Sequence, residues 1–330
     1  EGSKVFAKDF LSRHNIPTAS YRVFTEPEPA RDYICSGDVP IVIKADGLAA
    51  GKGVIIARTR EDAVSAVEEM LSGKTFGEAG RRVIVEECLR GEEASFIVMV
   101  DGTHILPLAT SQDHKAIYYG DTGPNTGGMG AYSPAPVITP EIHERIIKQV
   151  IEPTVKGMAS EGLHYTGFLY AGLMIQGDGT PKVLEYNCRL GDPETQPILF
   201  RLRSDLVEMC LAALYKKLDK AHVEWDNRPA IGVVMAAGGY PESYAKGDHI
   251  SGLPDQSNED LKVFHAGTML KEGLVVTNGG RVLCVTALGA TVSEAQKKAY
   301  SLAGQIKWKN VYYRTDIGYR AIEREGHLTG

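Results

Sequence analysis

KADGLAAGKGV, residues Lys44–Val54, sets the glycines Gly47, Gly51 and Gly53 around the lysines Lys44 and Lys52. Two short, apolar, β-branched segments flank it, PIVIK (Pro40–Lys44) and GVIIA (Gly53–Ala57). That pattern predicts strand, glycine-rich loop, strand. A P-loop needs G-x-x-x-x-G-K-[ST], but the run from Gly47 to Gly51 is one residue short, and Gly53 stands where the metal-binding hydroxyl belongs. The dinucleotide fingerprint also fails, because its third glycine is missing and no helix follows. By itself the stretch is either a phosphate cradle or an ordinary flexible hairpin. Its neighbours must decide.

The 330 residues predict about two domains, and a hydrophobic share of 43% is enough for sizeable cores. A net charge of −6 with no basic stripe argues against nucleic acid, although a few local lysines suffice for a small polyanion. The 36 glycines exceed the usual share of about 7% and cluster in loops, as backbone held close to ligands would require. Cys35, Cys88, Cys188, Cys210 and Cys284 form no C-x-x-C pair and read as small hydrophobes in a reducing cytosol. No apolar run approaches membrane-spanning length, and no signal peptide opens the chain, so a soluble, cytoplasmic protein without a membrane partner is expected.

Outward from the loop, Ser3 caps an expected helix, KVFAKDFLSRH, with Val5, Phe6, Phe10 and Leu11 on one face. A second is expected at Arg60–Leu71, with a stripe of Ala63, Val64, Val67, Met70 and Leu71. RRVIVEE reads as a strand ending in two glutamates. ASFIVMV-DG-THILPLA reads as a hairpin turning on Asp101-Gly102. Ser111–Pro136 shows neither period, and a loop of that length in a compact protein points to function. Thr139 and Pro140 open another helix, FLYAGLMI and PKVLEYNCR form a second hairpin, and Ser204 caps SDLVEMCLAALYKKL. The polar stretch Asp219–Pro229 is the expected boundary before a small α+β domain with one helix near Ser293–Ile306. The chain as a whole is expected to be α+β (mixed α/β).

LEYNCRLGDPE carries the chemistry. Alternation on a strand puts Glu185, Asn187 and Arg189 on one face and Leu184, Tyr186, Cys188 and Leu190 on an apolar other. Glu185 and Asn187 are hard oxygen donors suited to Mg²⁺, which takes few protein groups, and Arg189 can neutralise a transferring phosphoryl group. A solvated edge strand with a salt bridge competes with this reading. In VIVEECLRGEE, backbone groups around Glu87–Leu89 can read an adenine edge, and Glu93 can accept ribose hydroxyls. No zinc spacing, serine nucleophile elbow or kinase signature is present.

Taken in order, these features resemble the ATP-grasp superfamily. Within it, KADGLAAGKGV, QDHK, GPNTGGMGAYSPAP, YTGFLYAGLM and NCRLGDPETQ resemble the glycinamide ribonucleotide synthetase family, and GVVMAAGGYP, VFHAGT and TNGGRVLCVTALG extend the likeness to the end. The resemblance implies an ATP-grasp domain over 1–222, with a lid subdomain at about 22–90, and a C-terminal domain over 223–330. It implies ATP held by Lys4, Lys44, Gly47, Gly51, Lys52, Gly53, Glu86, Glu87, Leu89 and Glu93, with the glycine loop a mobile lid. Glu185 and Asn187 would hold Mg²⁺ or Mn²⁺, while Arg189, Lys52 and Asp113 would act in catalysis. Asp113, Asn125, Thr126, Gly127, Gly128 and Arg189 would meet glycine and 5-phosphoribosylamine. The implied reaction is the ATP-dependent joining of those two through a glycyl phosphate, in purine biosynthesis, by a cytoplasmic monomer. Two departures stand out. The family's N-terminal Rossmann-like domain of about a hundred residues has no counterpart, so a longer full-length protein is expected. FLYAGLMI also lacks the acid that many ATP-grasp enzymes use for a second metal. A nucleotide-binding module without turnover, and a ligase for another carboxylate, remain the alternatives.

Overall fold

The computed structural model describes residues 1–47, 53–75, 77–255 and 258–328. They form two compact units: Glu1–Glu93 with Met99–Ile105 and Val137–Arg189, and Ala94–Val98 with Leu106–Pro136 and Leu190–Gly330. The strand Glu92–Asp101 contributes to both.

In the first unit, Lys4–Arg13 is helical behind a Ser3 cap whose hydroxyl accepts from the Phe6 N–H. It buries Val5, Lys8, Phe10 and Leu11. Phe6, expected on that face, lies in the first turn at its margin and is 49% exposed. A four-stranded antiparallel sheet follows, in the order Tyr21–Phe24, Val83–Glu87, Ile41–Ala45, Val54–Ala57. Lys44 pairs with Val54, so the two expected strands are present and antiparallel; residues 48–52 between them, Gly51 and Lys52 included, lie outside the described residues.

Helices Pro27–Ser36 and Arg60–Leu71 pack on this sheet, burying Ala30, Ile34, Val67 and Met70 against Ile43, Val83 and Val85. The first of these helices was not legible because its prolines read as loop. Pro27 sits in the first turn, where a missing N–H and a fixed φ cost nothing.

A second sheet has the order Pro181–Asn187, Thr166–Ile175, Glu92–Asp101, Ile105–Pro107. Both expected hairpins are therefore present. Gly172 pairs with Glu185 but Leu173 with Val183, so Leu184 is a bulge residue. The expected apolar face is accordingly irregular, and Cys188 is exposed.

The second unit is built on an antiparallel sheet ordered Leu261–His265, Arg281–Leu288, Ala230–Ala236, Gly130–Ser133, Gln112–Asp113. Helix Val292–Ala303, capped by Thr291, closes its core over Ile231, Val233 and Val285. Four sequence expectations need correction here. The segment 111–136 is not structureless: Gly130–Ser133 is an inner strand, buried at every residue, and so shows no alternation. The helix Leu206–Leu214 is capped by Asp205, whose carboxylate accepts from Val207 and Glu208, while the Ser204 hydroxyl accepts from Glu224 N–H. A second helix, Tyr319–Leu328, follows the expected one. Of the cysteines only Cys284 is buried, whereas Cys35 and Cys188 are exposed. Among the described residues no helix is long and apolar enough to cross a membrane.

Candidate functional site

The residues that sequence assigned to nucleotide and metal lie in the first unit. Lys44, at the end of its strand, places Nζ 3.0 Å from Glu86 Oε2 and donates to the Leu184 carbonyl at 3.3 Å. The bulge at Leu184 interrupts the strand ladder at this point. Lys8 Nζ reaches the same Glu86 oxygen at 3.1 Å and donates to Thr18 Oγ1 at 2.7 Å. Lys8, Glu86 and Lys44 are only 3%, 3% and 8% exposed. Burial brings the Lys8 ammonium down to about 8, although Glu86 opposes the shift. Glu86 thus binds two lysines through one oxygen, while its buried Oε1 has no partner among the described residues. Lys8 was missed by sequence reading because it sits at an inward position of a helix otherwise read for its apolar residues.

Lys4 Nζ donates to the carbonyls of Ala45 at 3.0 Å and Gly47 at 3.1 Å, where the glycine loop begins. Burial lowers its pKa, with Glu185 the largest opposing charge. Asp46 accepts from the Val5 N–H, the Ser3 hydroxyl and Arg82. Burial works against its carboxylate, but those donors outweigh it and hold the pKa below the ordinary range. The start of the loop is thereby fixed to the first helix. Gly47 is required by packing, since a Cβ there would lie 2.7 Å from Ala79 Cβ. Glu87 is exposed and accepts from Ser20, Leu89 is buried, and Glu93 stands at the start of the Glu92–Asp101 strand.

Glu185 and Asn187 project from Pro181–Asn187 opposite Gly172 and Tyr170. No hydrogen bond to the Glu185 carboxylate is made by the described residues, and Asn187 Oδ1 receives only Arg189 Nη2, at 3.5 Å. A carboxylate and an amide oxygen left this open fit a hard cation that completes its shell with phosphate and water. Among the described residues no cluster of three or more His, Cys, Asp or Glu could hold a metal. Arg189 also pairs with Glu1, Nε to Oε1 at 3.1 Å.

The residues assigned to substrate, apart from Arg189, lie in the second unit. Asp113 is half-buried on the edge strand, paired with Ala131. The next residue, His114, is 1% exposed. Its Nε2 accepts from the Gly318 N–H at 3.0 Å, so the ring proton is on Nδ1 and points to Asp121 Oδ1, also at 3.0 Å. Asp121 further receives Arg314, Arg320 and Tyr319, a convergence that holds it ionised against burial. Asn125 ends an exposed strand. Thr126 Oγ1 donates to the Lys115 carbonyl and accepts from the Gly128 N–H. Gly127 donates its N–H to Tyr240 Oη at 2.9 Å, and its carbonyl accepts from Arg281. Gly128 has φ +109°, and a Cβ there would lie 2.3 Å from Pro193 Cδ. The loop is thus clamped to the Gly191-Asp192-Pro193 turn. Arg281 and Tyr240 were not singled out from sequence; the available signal was an arginine placed directly after the Asn278-Gly279-Gly280 turn.

A glycine loop between the Lys44 and Val54 strands, a strand ending in paired acids and a hairpin carrying Glu185 and Asn187 make this an ATP-grasp protein. A biotin carboxylase domain from Hydrogenobacter thermophilus has the same fold, with a TM-score of 0.71 at 16% identity. The chain belongs to the phosphoribosylglycinamide synthetase family, whose ATP-grasp (A) domain matches residues 2–195 and whose C domain matches 230–320. It is 68% identical over 325 residues to a phosphoribosylamine–glycine ligase of Vibrio vulnificus, covering 98% of this chain and 76% of that protein. The corresponding ligase of Escherichia coli O157:H7 is 66% identical, with the same coverage. A crystal structure of the Thermotoga maritima ligase superposes with a TM-score of 0.86 at 39% identity, over 96% of this chain and 78% of that one.

Proposed function

We propose that this chain is a phosphoribosylamine–glycine ligase. ATP phosphorylates the glycine carboxylate, the amine of 5-phosphoribosylamine attacks the resulting glycyl phosphate, and glycinamide ribonucleotide, ADP and phosphate are released in purine biosynthesis. The observation that carries this reading is 68% identity, extended over 98% of the chain, to a protein of that name. The chemistry needs no protein nucleophile. It needs neutralised phosphates, in-line positioning and exclusion of water from the acyl phosphate.

Lys44 and Lys4 supply positive charge at the entry to the glycine loop, and Glu86 Oε1, unpartnered among the described residues, is an acceptor for a nucleotide N–H. Leu89 and Glu93 complete the nucleotide set with Glu87, and the parts of Gly51, Gly53 and Lys52 rest on sequence. ATP-grasp ligases use ATP with a divalent cation, which supplies charge neutralisation on the phosphates. Here Glu185 and Asn187 would hold it, as Mg²⁺ or Mn²⁺. Arg189 steadies the transferred group, and Asp113 with Asn125–Gly128 meets glycine and the amine. Domains 1–222 and 223–330, in a cytoplasmic monomer, complete the proposal. A panel of carboxylates assayed for ADP release in the presence of 5-phosphoribosylamine tests it. Glycine should be preferred strongly, and equal turnover of another carboxylate would contradict it.

A further inference from the structure

Ala116–Tyr118 and Thr122–Asn125 form a two-stranded ribbon joined by the turn Tyr119–Asp121. Its first strand follows Asp113, His114 and Lys115, and its second runs directly into Thr126, Gly127 and Gly128. Tyr118 and Thr122–Asn125 are exposed, and two strands with so little core of their own are marginal in water. The contacts that fix this ribbon come from the far end of the sequence, between Tyr312 and Arg320.

Tyr312 Oη donates to the Ile117 carbonyl at 2.8 Å. Arg314 donates through Nη1 to the Ala116 carbonyl at 3.0 Å and to Asp121 Oδ1 at 2.6 Å. Its Nε and Nη2 grip the two oxygens of Asp316 at 2.8 and 2.6 Å, and Asp316 Oδ2 accepts from the Gly120 N–H at 2.8 Å. Tyr319 and Arg320 donate to the second oxygen of Asp121. The segment is itself anchored. Tyr312 exchanges both backbone hydrogen bonds with Ala236 of the core sheet. Tyr300 Oη, on the helix Val292–Ala303, donates to the Arg314 carbonyl and accepts from the Ile317 N–H. The ribbon is therefore tied to the core through one planar guanidinium, whose fork fixes direction as well as distance. All of these residues belong to the second unit.

We propose that Arg314, assisted by Tyr312, is a positioning residue for the ligase reaction, holding the ribbon where Asp113 and Asn125–Gly128 meet glycine and 5-phosphoribosylamine. The inference rests on the proposed function. Arg314 has a side chain 0% exposed, so it acts through the ribbon and not by touching substrate. A lysine there keeps the charge, but a single ammonium cannot span Asp121, Asp316 and the Ala116 carbonyl as the fork does. The residues assigned to ATP in the first unit, among them Lys4, Lys44, Glu86 and Glu87, are held by contacts in which Arg314 has no part. Its loss is therefore selective for the two co-substrates.

The test is steady-state kinetics of the full chain with each of the three substrates varied in turn. Arg314→Lys should raise the KM for glycine, for 5-phosphoribosylamine or for both by about tenfold, and leave the KM for ATP within about twofold. Tyr312→Phe removes one hydroxyl and leaves every ion pair in place. It should act in the same direction by about fivefold, the effect of one hydrogen bond, and it decides the matter if Arg314→Lys does not fold. Circular dichroism and thermal unfolding accompany each variant. Unchanged KM values for both co-substrates in folded Tyr312→Phe, whatever its stability, make these contacts merely structural and overturn the inference. A KM for ATP that rises in step with the others overturns it too. A wild-type chain that forms no glycinamide ribonucleotide brings down the ligase reading and this inference with it, whereas normal wild-type turnover with unaffected variants brings down this inference alone.

Discussion

Lys8 Nζ lies 3.1 Å from Glu86 Oε2, and neither side chain is more than 3% exposed. The same oxygen accepts Lys44, so one carboxylate balances two buried ammonium groups beside the glycine loop. Glu86→Gln leaves both charges unpaired and should cost about 3–5 kcal/mol. Urea unfolding at neutral pH measures it, and a loss under 1 kcal/mol would show that the network contributes little.

The depressed Lys8 pKa has a pH signature. Between its folded value of about 8 and the ordinary lysine value of 10.5, the unfolded chain binds the proton more tightly than the folded one. Stability from this group therefore rises as pH increases through that window. Lys8→Met should remove the rise, and the difference in unfolding free energy between the two proteins should grow from pH 8 to 10. A constant difference would contradict the assignment.

His114 behaves in the opposite half of the pH scale. Burial lowers its pKa below 6.5, with Asp121 opposing and Arg314 and Arg320 adding to the shift. Below the unfolded value of about 6.5 the unfolded chain takes a proton that the folded site resists, so stability falls as pH drops. His114→Gln should flatten the decline between pH 6.5 and 5. Identical slopes in the two proteins would rule out His114 as its source.

Glu185→Gln should abolish metal-dependent ADP formation while leaving thermal unfolding within a degree or two, because the carboxylate accepts no hydrogen bond from the described residues. Near-normal ADP formation in this variant would remove Glu185 from the metal site.

Much of this architecture was legible because the signals were local. The apolar run Phe96–Val100 ending at Asp101-Gly102 gives the hairpin, and Ser3 and Thr139 each cap the helix that begins after them. Elements set by tertiary burial were less legible. Gly130–Ser133 is covered on both faces and so has no period to read, while Pro27–Ser36 is disguised by prolines that only its first turn tolerates. The E-x-N-x-R strand showed its polar face in sequence, whereas the Leu184 bulge that shifts its register did not. Lys8 and Arg281 illustrate the same limit: each acquires its role from a partner 78 or 89 positions away, at Glu86 or Asp192.

The central claim is that glycine is activated as its acyl phosphate. The direct measurement supplies ATP, 5-phosphoribosylamine and glycine labelled with oxygen-18 in its carboxylate, and follows products by mass spectrometry. The account predicts glycinamide ribonucleotide in amounts equal to ADP, with one labelled oxygen carried into each inorganic phosphate released. ADP without that product, or phosphate free of label, would contradict it.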